Sequence, residues 1–246
     1  MLLLALFSFI QVSDQSTQDV EAWPREAEAA YTNGDYRQSA QLYQQIVDAG
    51  IQRSEIYFNL GNAYFQLHDL GRALVNYRRA EQYAPRDDDL KLNMARIRTQ
   101  RVDSLGDYAA LAAQITNSLT GVASNSEFEM LLLLLWWIFC GLGIVYALLP
   151  TWRRYVKLMV IAAGILMVFI GVLEGVRFVA DATYPPAVVV TEMVSVMSGP
   201  DTAYMEIFEL HAAAEIRIIE QRNDWVRIQL PDLEEGWIQS GAVEKV

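Results

Sequence analysis

The residues of this chain whose types could do chemistry are few. Two histidines, His68 and His211, one cysteine, Cys140, and an acid run, Asp87 to Asp89, are scattered over 246 residues. They compose no Ser/His/Asp set, no HExxH helix and no glycine-rich phosphate loop, and no pair of acids is spaced for a cleft. A single cysteine excludes a disulfide scaffold and a cysteine-rich metal site. Asp87 to Asp89 precedes a stretch of helical period, where negative charge suits the dipole of a helix start, so the run reads as a helix beginning rather than a metal site. The chain therefore reads as a non-enzyme without cofactor or metal, and its polar residues are to be weighed as binding groups.

Composition separates the elements that carry these groups into two kinds. The chain is 53% hydrophobic yet has 30 acids against 19 bases, a net charge of −11. The acidity argues against nucleic acid as a partner, because phosphate binding needs clustered Lys and Arg. Residues 130–150 open with MLLLLLWWIFCGLGIVYALL, an uncharged run of 20 residues, about 30 Å of helix and enough for the core of a lipid bilayer. Residues 158–180 form a second expected transmembrane helix, and 151–157 a cytoplasmic connection bearing Arg153, Arg154 and Lys157. Leucine on every face argues against a buried pair in a soluble protein. No Lys or Arg lies between Gly106 and Glu129, and Arg177 alone is basic just after the second run. The positive-inside rule then places both large flanks outside a bacterial inner membrane. Glu174 and Arg177, spaced i,i+3, read as a membrane-interface pair or as a contact to a partner's transmembrane helix. Residues 1–18 read as a signal peptide or N-terminal anchor. Residues 104–129 read as an amphipathic juxtamembrane linker, with Tyr108, Leu111, Ile115, Leu119 and Val122 on one face. That face lies on the outer membrane surface or packs on the preceding helices.

Before the membrane part lies a repeat. Shifting the stretch 20–103 by 34 residues aligns Ala27 with Gly61, Asp35 with Asp69 and Tyr43 with Tyr77. A fixed period of this length means stacked helical units. The second copy closely resembles the tetratricopeptide repeat. Tyr57, Leu60, Gly61 and Tyr64 open it, Ala73, Tyr77 and Ala80 mark its second helix, and Pro85 closes it. Small residues at Gly61, Ala73 and Ala80 let two antiparallel helices approach closely. The first copy is degenerate, with Glu26 where leucine is usual and Ile51 in place of the proline. DDDLKLNMARIRTQRVD reads as a capping helix. The resemblance implies a concave groove for a peptide or helix. Its groove positions fall here on Arg25, Glu28, Asn59, Asn62, Gln66, Asn93 and Arg96. Asn and Arg there suit backbone or carboxylate groups of an extended ligand, the alternative being solvated surface. Tyr31, Tyr36, Tyr43, Tyr57, Tyr64 and Tyr77 read as repeat core.

From Ala187 the apolar pattern switches to period two, with turns at Ser198 to Asp201, Gln221 to Asp224 and Pro231 to Gly236. About five short strands are expected over 185–246, closing a small barrel. Val196, Ser198-Gly199-Pro200, Tyr204, Asp224-Trp225-Val226 and Gly236-Trp237-Ile238 resemble the bacterial SH3-like domain. Met197 stands where that family often has Arg. Tyr204, Trp225 and Trp237 form either an aromatic ligand patch or barrel core. The segment has 11 acids and 4 bases, which disfavours a polyanionic wall ligand.

The fold class is thus a multidomain membrane protein: an all-α tetratricopeptide-repeat domain, a two-helix transmembrane hairpin and an all-β SH3-like small barrel. This order resembles the BatE family of the Bacteroides aerotolerance (Bat) group over essentially the whole chain. The resemblance implies work beside Bat membrane proteins with von Willebrand A domains and a MoxR-type ATPase system, in envelope stress or oxygen tolerance. Two readings follow: a scaffold or adaptor for envelope proteins, or a sensor whose barrel binds a wall or peptide ligand. A connection of seven residues offers little cytoplasmic surface for signalling, which favours the scaffold.

Overall fold

The structure, a computed structural model, describes residues 23–103 and 125–246. The expected signal or anchor (1–18) and residues 104–124 of the expected linker lie outside the described residues. The chain is helical from 23 to 32 (α1), then in α2 (Tyr36–Asp48), α3 (Ser54–Gln66), α4 (Leu70–Tyr83) and α5 (Asp88–Gln100). The period of the repeat is visible in its turns. Asp35 caps α2 by accepting from the Gln38 backbone N–H, and Asp69 caps α4 by accepting from that of Arg72, both at 3.0 Å. These caps satisfy amides that a helix start leaves unpaired. Gly34 and His68 precede the two caps, both with positive φ, 83° and 60°, so His68 is a turn residue. Asp87 caps α5 through the amides of Asp89 and Leu90.

α3 and α4 pack tightly because Gly61 has no side chain. A Cβ at Gly61 would lie 2.7 Å from the ring of Tyr77. Ala27, Ala40, Tyr43, Ile46, Ile56 and Leu60 fill the core between the first and second helix pairs. Tyr57, Leu74 and Tyr77 join Leu90, Met94 and Ile97 of α5 in the next layer. Tyr43, Tyr57 and Tyr77 are buried, while Tyr31, Tyr36 and Tyr64 are half-buried.

α6 (Asn125–Leu148) and α7 (Arg153–Thr183) form an antiparallel hairpin joined by a 3-10 turn, Pro150–Trp152. Both helices are long and apolar enough to cross a membrane. The turn is shorter than the expected 151–157 connection. Arg153 begins α7, and its guanidinium donates to the Tyr146 and Ala147 carbonyls at the end of α6, 2.9 and 3.1 Å away. A charged stretch that reads as loop is thus the first turn of a helix whose leading residue caps the helix before it.

Seven strands, not the expected five or so, make one antiparallel sheet in the order β3-β2-β6-β5-β4-β1-β7. They are β1 (Pro186–Val189), β2 (Met193–Met197), β3 (Glu206–His211), β4 (Glu215–Arg222), β5 (Trp225–Gln229), β6 (Glu235–Gln239) and β7 (Val243–Lys245). The two additional short strands, β1 and β7, pair with each other. Ile216, Ile218, Val226, Ile228 and Ile238 fill the core of the sheet with Ala187 and Val189. Val188, between the last two, points the other way and is buried with Leu74, Tyr77 and Met94 of the repeats. β1 is therefore buried on both faces, and the sheet and the repeats share one core.

Candidate functional site

The seven groove positions lie on α1, α3 and α5, and the structure links three of them, Asn62, Asn93 and Arg96, into a polar ladder. The Tyr77 hydroxyl, on α4, donates to Asn62 Oδ1 at 2.7 Å. Asn93 Nδ2 donates to the same oxygen at 3.1 Å, and Arg96 Nη1 donates to Asn93 Oδ1 at 3.3 Å. Gln66 Nε2 reaches the Tyr31 hydroxyl at 3.4 Å. Burial pushes the Tyr43 phenol up to about 12, with the charge of Glu28 adding to the rise and a hydrogen bond with Asn59 offsetting part of it. Burial also raises the Tyr77 phenol well above its ordinary value. The Tyr77 hydroxyl therefore stays a neutral donor and holds the Asn62 amide in a fixed orientation. Arg25 and Glu28 lie exposed on α1. Of the ladder, the acceptor oxygens of Asn62 and Asn93 are used internally, so the face offers mainly donors: the amide of Asn62 and the remaining guanidinium N–H groups of Arg96.

Of Tyr204, Trp225 and Trp237, the two tryptophans lie on one face of the paired strands β5 and β6, in diagonal positions. Trp237 is buried beneath the Arg222 guanidinium, 5.4 Å from its ring centroid. Tyr204 is half exposed, its ring lying over Gly199. Trp225 is half-buried at the head of β5 and lines an open cavity of about 630 Å3 with Asp201, Thr202, Asp224, Gln239, Ser240 and Gly241. Glu174 and Arg177 both fall on α7; the side chain of Arg177 lies outside what is described.

Residues that sequence reasoning did not bring together form the seam between repeats and sheet. Arg78 of α4 donates to Glu215 of β4 from Nε at 2.8 Å and from Nη2 at 2.5 Å, and to Glu81 at 2.7 Å. Arg98 and Arg101 approach the other oxygen of Glu215 at 3.5 and 3.7 Å. Burial alone would raise the Glu215 carboxyl; the Arg78 and Arg98 guanidiniums outweigh it and hold the carboxyl below the usual range. Asp103 accepts from the His211 backbone N–H at 2.7 Å and meets its Nδ1 at 2.9 Å. Arg79 pairs with Glu244 at 2.9 Å and donates to the Lys245 carbonyl at 2.6 Å. At the N-terminal end of α4, Gly71 lies against β1 so closely that a Cβ would sit 2.5 Å from the Val189 carbonyl oxygen. The signal for this seam was the excess of arginine on α4 and α5 set against an acidic C-terminal sheet.

The hairpin is tied to both bodies. Arg86, after α4, pairs with Glu127 at the start of α6. Arg217 of β4 pairs with Asp181 at 3.4 Å and donates to the Tyr184 carbonyl at the end of α7.

Among known families, residues 54–87 match the tetratricopeptide repeat and residues 194–244 match the bacterial SH3 domain. A search of curated proteins found no match. Both matched domains are binding domains, which points to protein or ligand binding in a non-catalytic role.

Proposed function

We propose that this chain is a membrane-anchored adaptor of the bacterial envelope, holding another envelope protein in its repeat groove while the hairpin fixes it in the inner membrane. The observation that carries the reading is the donor-rich ladder of Asn62, Asn93 and Arg96. Among the described residues no hydrogen bond at these positions reaches the sheet, which docks on α4 instead. An extended segment bearing carboxylates or free backbone carbonyls fits such a face. The topology is supported by the seam: two domains separated by two apolar helices touch each other, as they do when the chain crosses the membrane an even number of times. Resemblance to the Bat group supplies the partner classes, von Willebrand A domain membrane proteins and a MoxR-type ATPase system, and the setting of envelope stress or oxygen tolerance.

The test is crosslinking in cells followed by purification of the full chain. Membrane partners recovered with the native protein and lost with Asn62→Ala/Asn93→Ala/Arg96→Ala support the adaptor. Recovery of the same partners at the same yield from the triple variant removes the groove from the reading. The cavity beside Trp225 favours a second reading, a sensor that binds a wall or peptide ligand. Saturable binding of wall fragments that disappears with Trp225→Ala, with no protein partner recovered, would decide for it.

A further inference from the structure

The hairpin turn carries a charge pattern that the adaptor role does not use. Between Glu129 and Glu174 the chain has no acidic residue, and its charges there are Arg153, Arg154 and Lys157. Arg153 is spent within the fold, since it caps the last carbonyls of α6 and stacks 5.6 Å from the Tyr146 ring centroid. Arg154 and Lys157 are exposed and have no hydrogen-bond or ion-pair partner among the described residues. They are spaced i,i+3, so they share one face of the first turns of α7. The rings of Trp152 and Tyr155 meet edge to face beside them with centroids 6.4 Å apart, 57% and 70% exposed. The 3-10 turn runs directly into α7, and the Pro150 carbonyl accepts from the Arg153 backbone N–H, so the pair of cations stands at a helix start that the turn itself caps.

We infer that Arg154 and Lys157 bind the headgroup phosphate of an anionic phospholipid, Trp152 and Tyr155 bracketing it at the membrane surface. The inference rests on the membrane-spanning reading of α6 and α7. Charge selects the ligand: two unneutralised cations attract an anion and have nothing to offer a zwitterionic headgroup in preference. The two aromatic rings select the lipid over a free ion, because indole and phenol rings settle at the depth of the headgroups. The acidic domains do not oppose the contact, because a hairpin puts them at the far end of both helices, about 30 Å away or more.

The full chain in detergent micelles is to be incubated with phosphatidylglycerol or with phosphatidylcholine of the same acyl chains, and bound lipid counted by native mass spectrometry. The expected result is a preference for phosphatidylglycerol of about tenfold or more, since each basic group near an anionic headgroup contributes a factor of roughly five. Arg154→Gln/Lys157→Gln is expected to abolish the preference. Arg37→Gln/Arg53→Gln removes equal charge from the repeats and is expected to leave it intact. Equal retention of both lipids overturns the inference, as does a preference that survives the Arg154/Lys157 change. Displacement of the lipid by excess inorganic phosphate also overturns it, by reducing the site to one for a free anion. Alkaline carbonate extraction of the expressed protein keeps the two readings apart. Protein released to the supernatant fails the spanning reading, whereas protein kept in the membrane without lipid preference fails only the lipid site.

Discussion

Arg78 and Glu215, 137 residues apart in the chain, meet through two hydrogen bonds to one carboxylate oxygen, at 2.8 and 2.5 Å. Both side chains are only 20% exposed, so the pair is largely withdrawn from water. Their contact joins the repeats to the sheet, together with the Arg79–Glu244 and Asp103–His211 pairs. Glu215→Gln would leave Arg78, Arg98 and Arg101 around a neutral amide. Losing one partner of a buried pair is strongly destabilising; with a fifth of each side chain still exposed, a loss of about 2–3 kcal/mol is expected. Thermal unfolding of the full chain should show the repeats and the sheet melting at separated temperatures in this variant. A single transition unchanged from the native protein would show that the ion pair does not hold the seam.

The same seam predicts an acid limit. The folded Glu215 carboxyl lies below its ordinary value of 4.5. A group with a depressed folded pKa contributes stability that is present above the unfolded pKa and lost as pH falls through the folded one. The dock should therefore be constant from neutrality down to the ordinary carboxylate range and loosen only below it. Hydrogen exchange at the amides of β1, followed as a function of pH, reads this directly. Glu215→Gln should exchange faster at neutral pH and lose most of the acid-dependent rise. A native rise beginning well above the carboxylate range would assign the effect to groups other than Glu215.

Gly71 separates packing from charge. A methyl group there would meet the Val189 carbonyl at 2.5 Å and the Val190 Cα at 2.7 Å, both backbone atoms that cannot rotate away. Gly71→Ala should raise the helix propensity of α4 by up to about 1 kcal/mol while displacing β1, a clash expected to cost about 1–3 kcal/mol. Protease sensitivity around residues 184–190 should rise while far-ultraviolet circular dichroism stays unchanged. Retained protection would mean that the sheet sits farther from α4 than described.

Much of the repeat was legible in the sequence because its spacing reports local geometry. Gly61 is small since Tyr77 lies over it, and Asp35 and Asp69 recur because each turn needs a cap. Beyond the charge contrast between the arginines of α4 and α5 and the acidic sheet, the pairings of the seam were not legible, because they depend on residues far apart in the chain that share no period. Val188 shows the difficulty: in an apolar run it reads as barrel core, yet it faces the repeats. Trp237 and Trp225 look alike in the sequence and share one face of the paired strands, yet Trp237 is covered beneath Arg222 while Trp225 stands at the strand end beside a cavity. Arg153 was read as part of a loop because charge at a turn suggests one, whereas the chain is already helical there and uses that charge as a cap.

The ladder predicts how the groove would weaken. Tyr77→Phe removes the 2.7 Å hydrogen bond to Asn62 Oδ1 without opening a cavity. A loss of about 1 kcal/mol of stability is expected, together with freer rotation of the Asn62 amide. If that amide contacts the partner, recovery of crosslinked partner should fall more than stability does. A fall in recovery that merely follows the amount of folded protein would make Tyr77 a structural residue alone.

Orientation is testable with the chain's own chemistry, since Cys140 is its single cysteine. In a Cys140→Ala background, single cysteines at Gln82, Arg154 and Asp232 report the repeats, the hairpin turn and the sheet. All three positions are exposed. A membrane-impermeant maleimide applied to intact cells with a permeable outer membrane should label Gln82→Cys and Asp232→Cys at once, and Arg154→Cys only after the inner membrane is opened. Labelling of Gln82→Cys and Asp232→Cys must go together, because the seam holds their domains in contact. If one is labelled and the other protected, the dock itself is absent in the cell. If both are protected and Arg154→Cys is labelled, the dock stands and the orientation is reversed, which would place the groove and its partner in the cytoplasm.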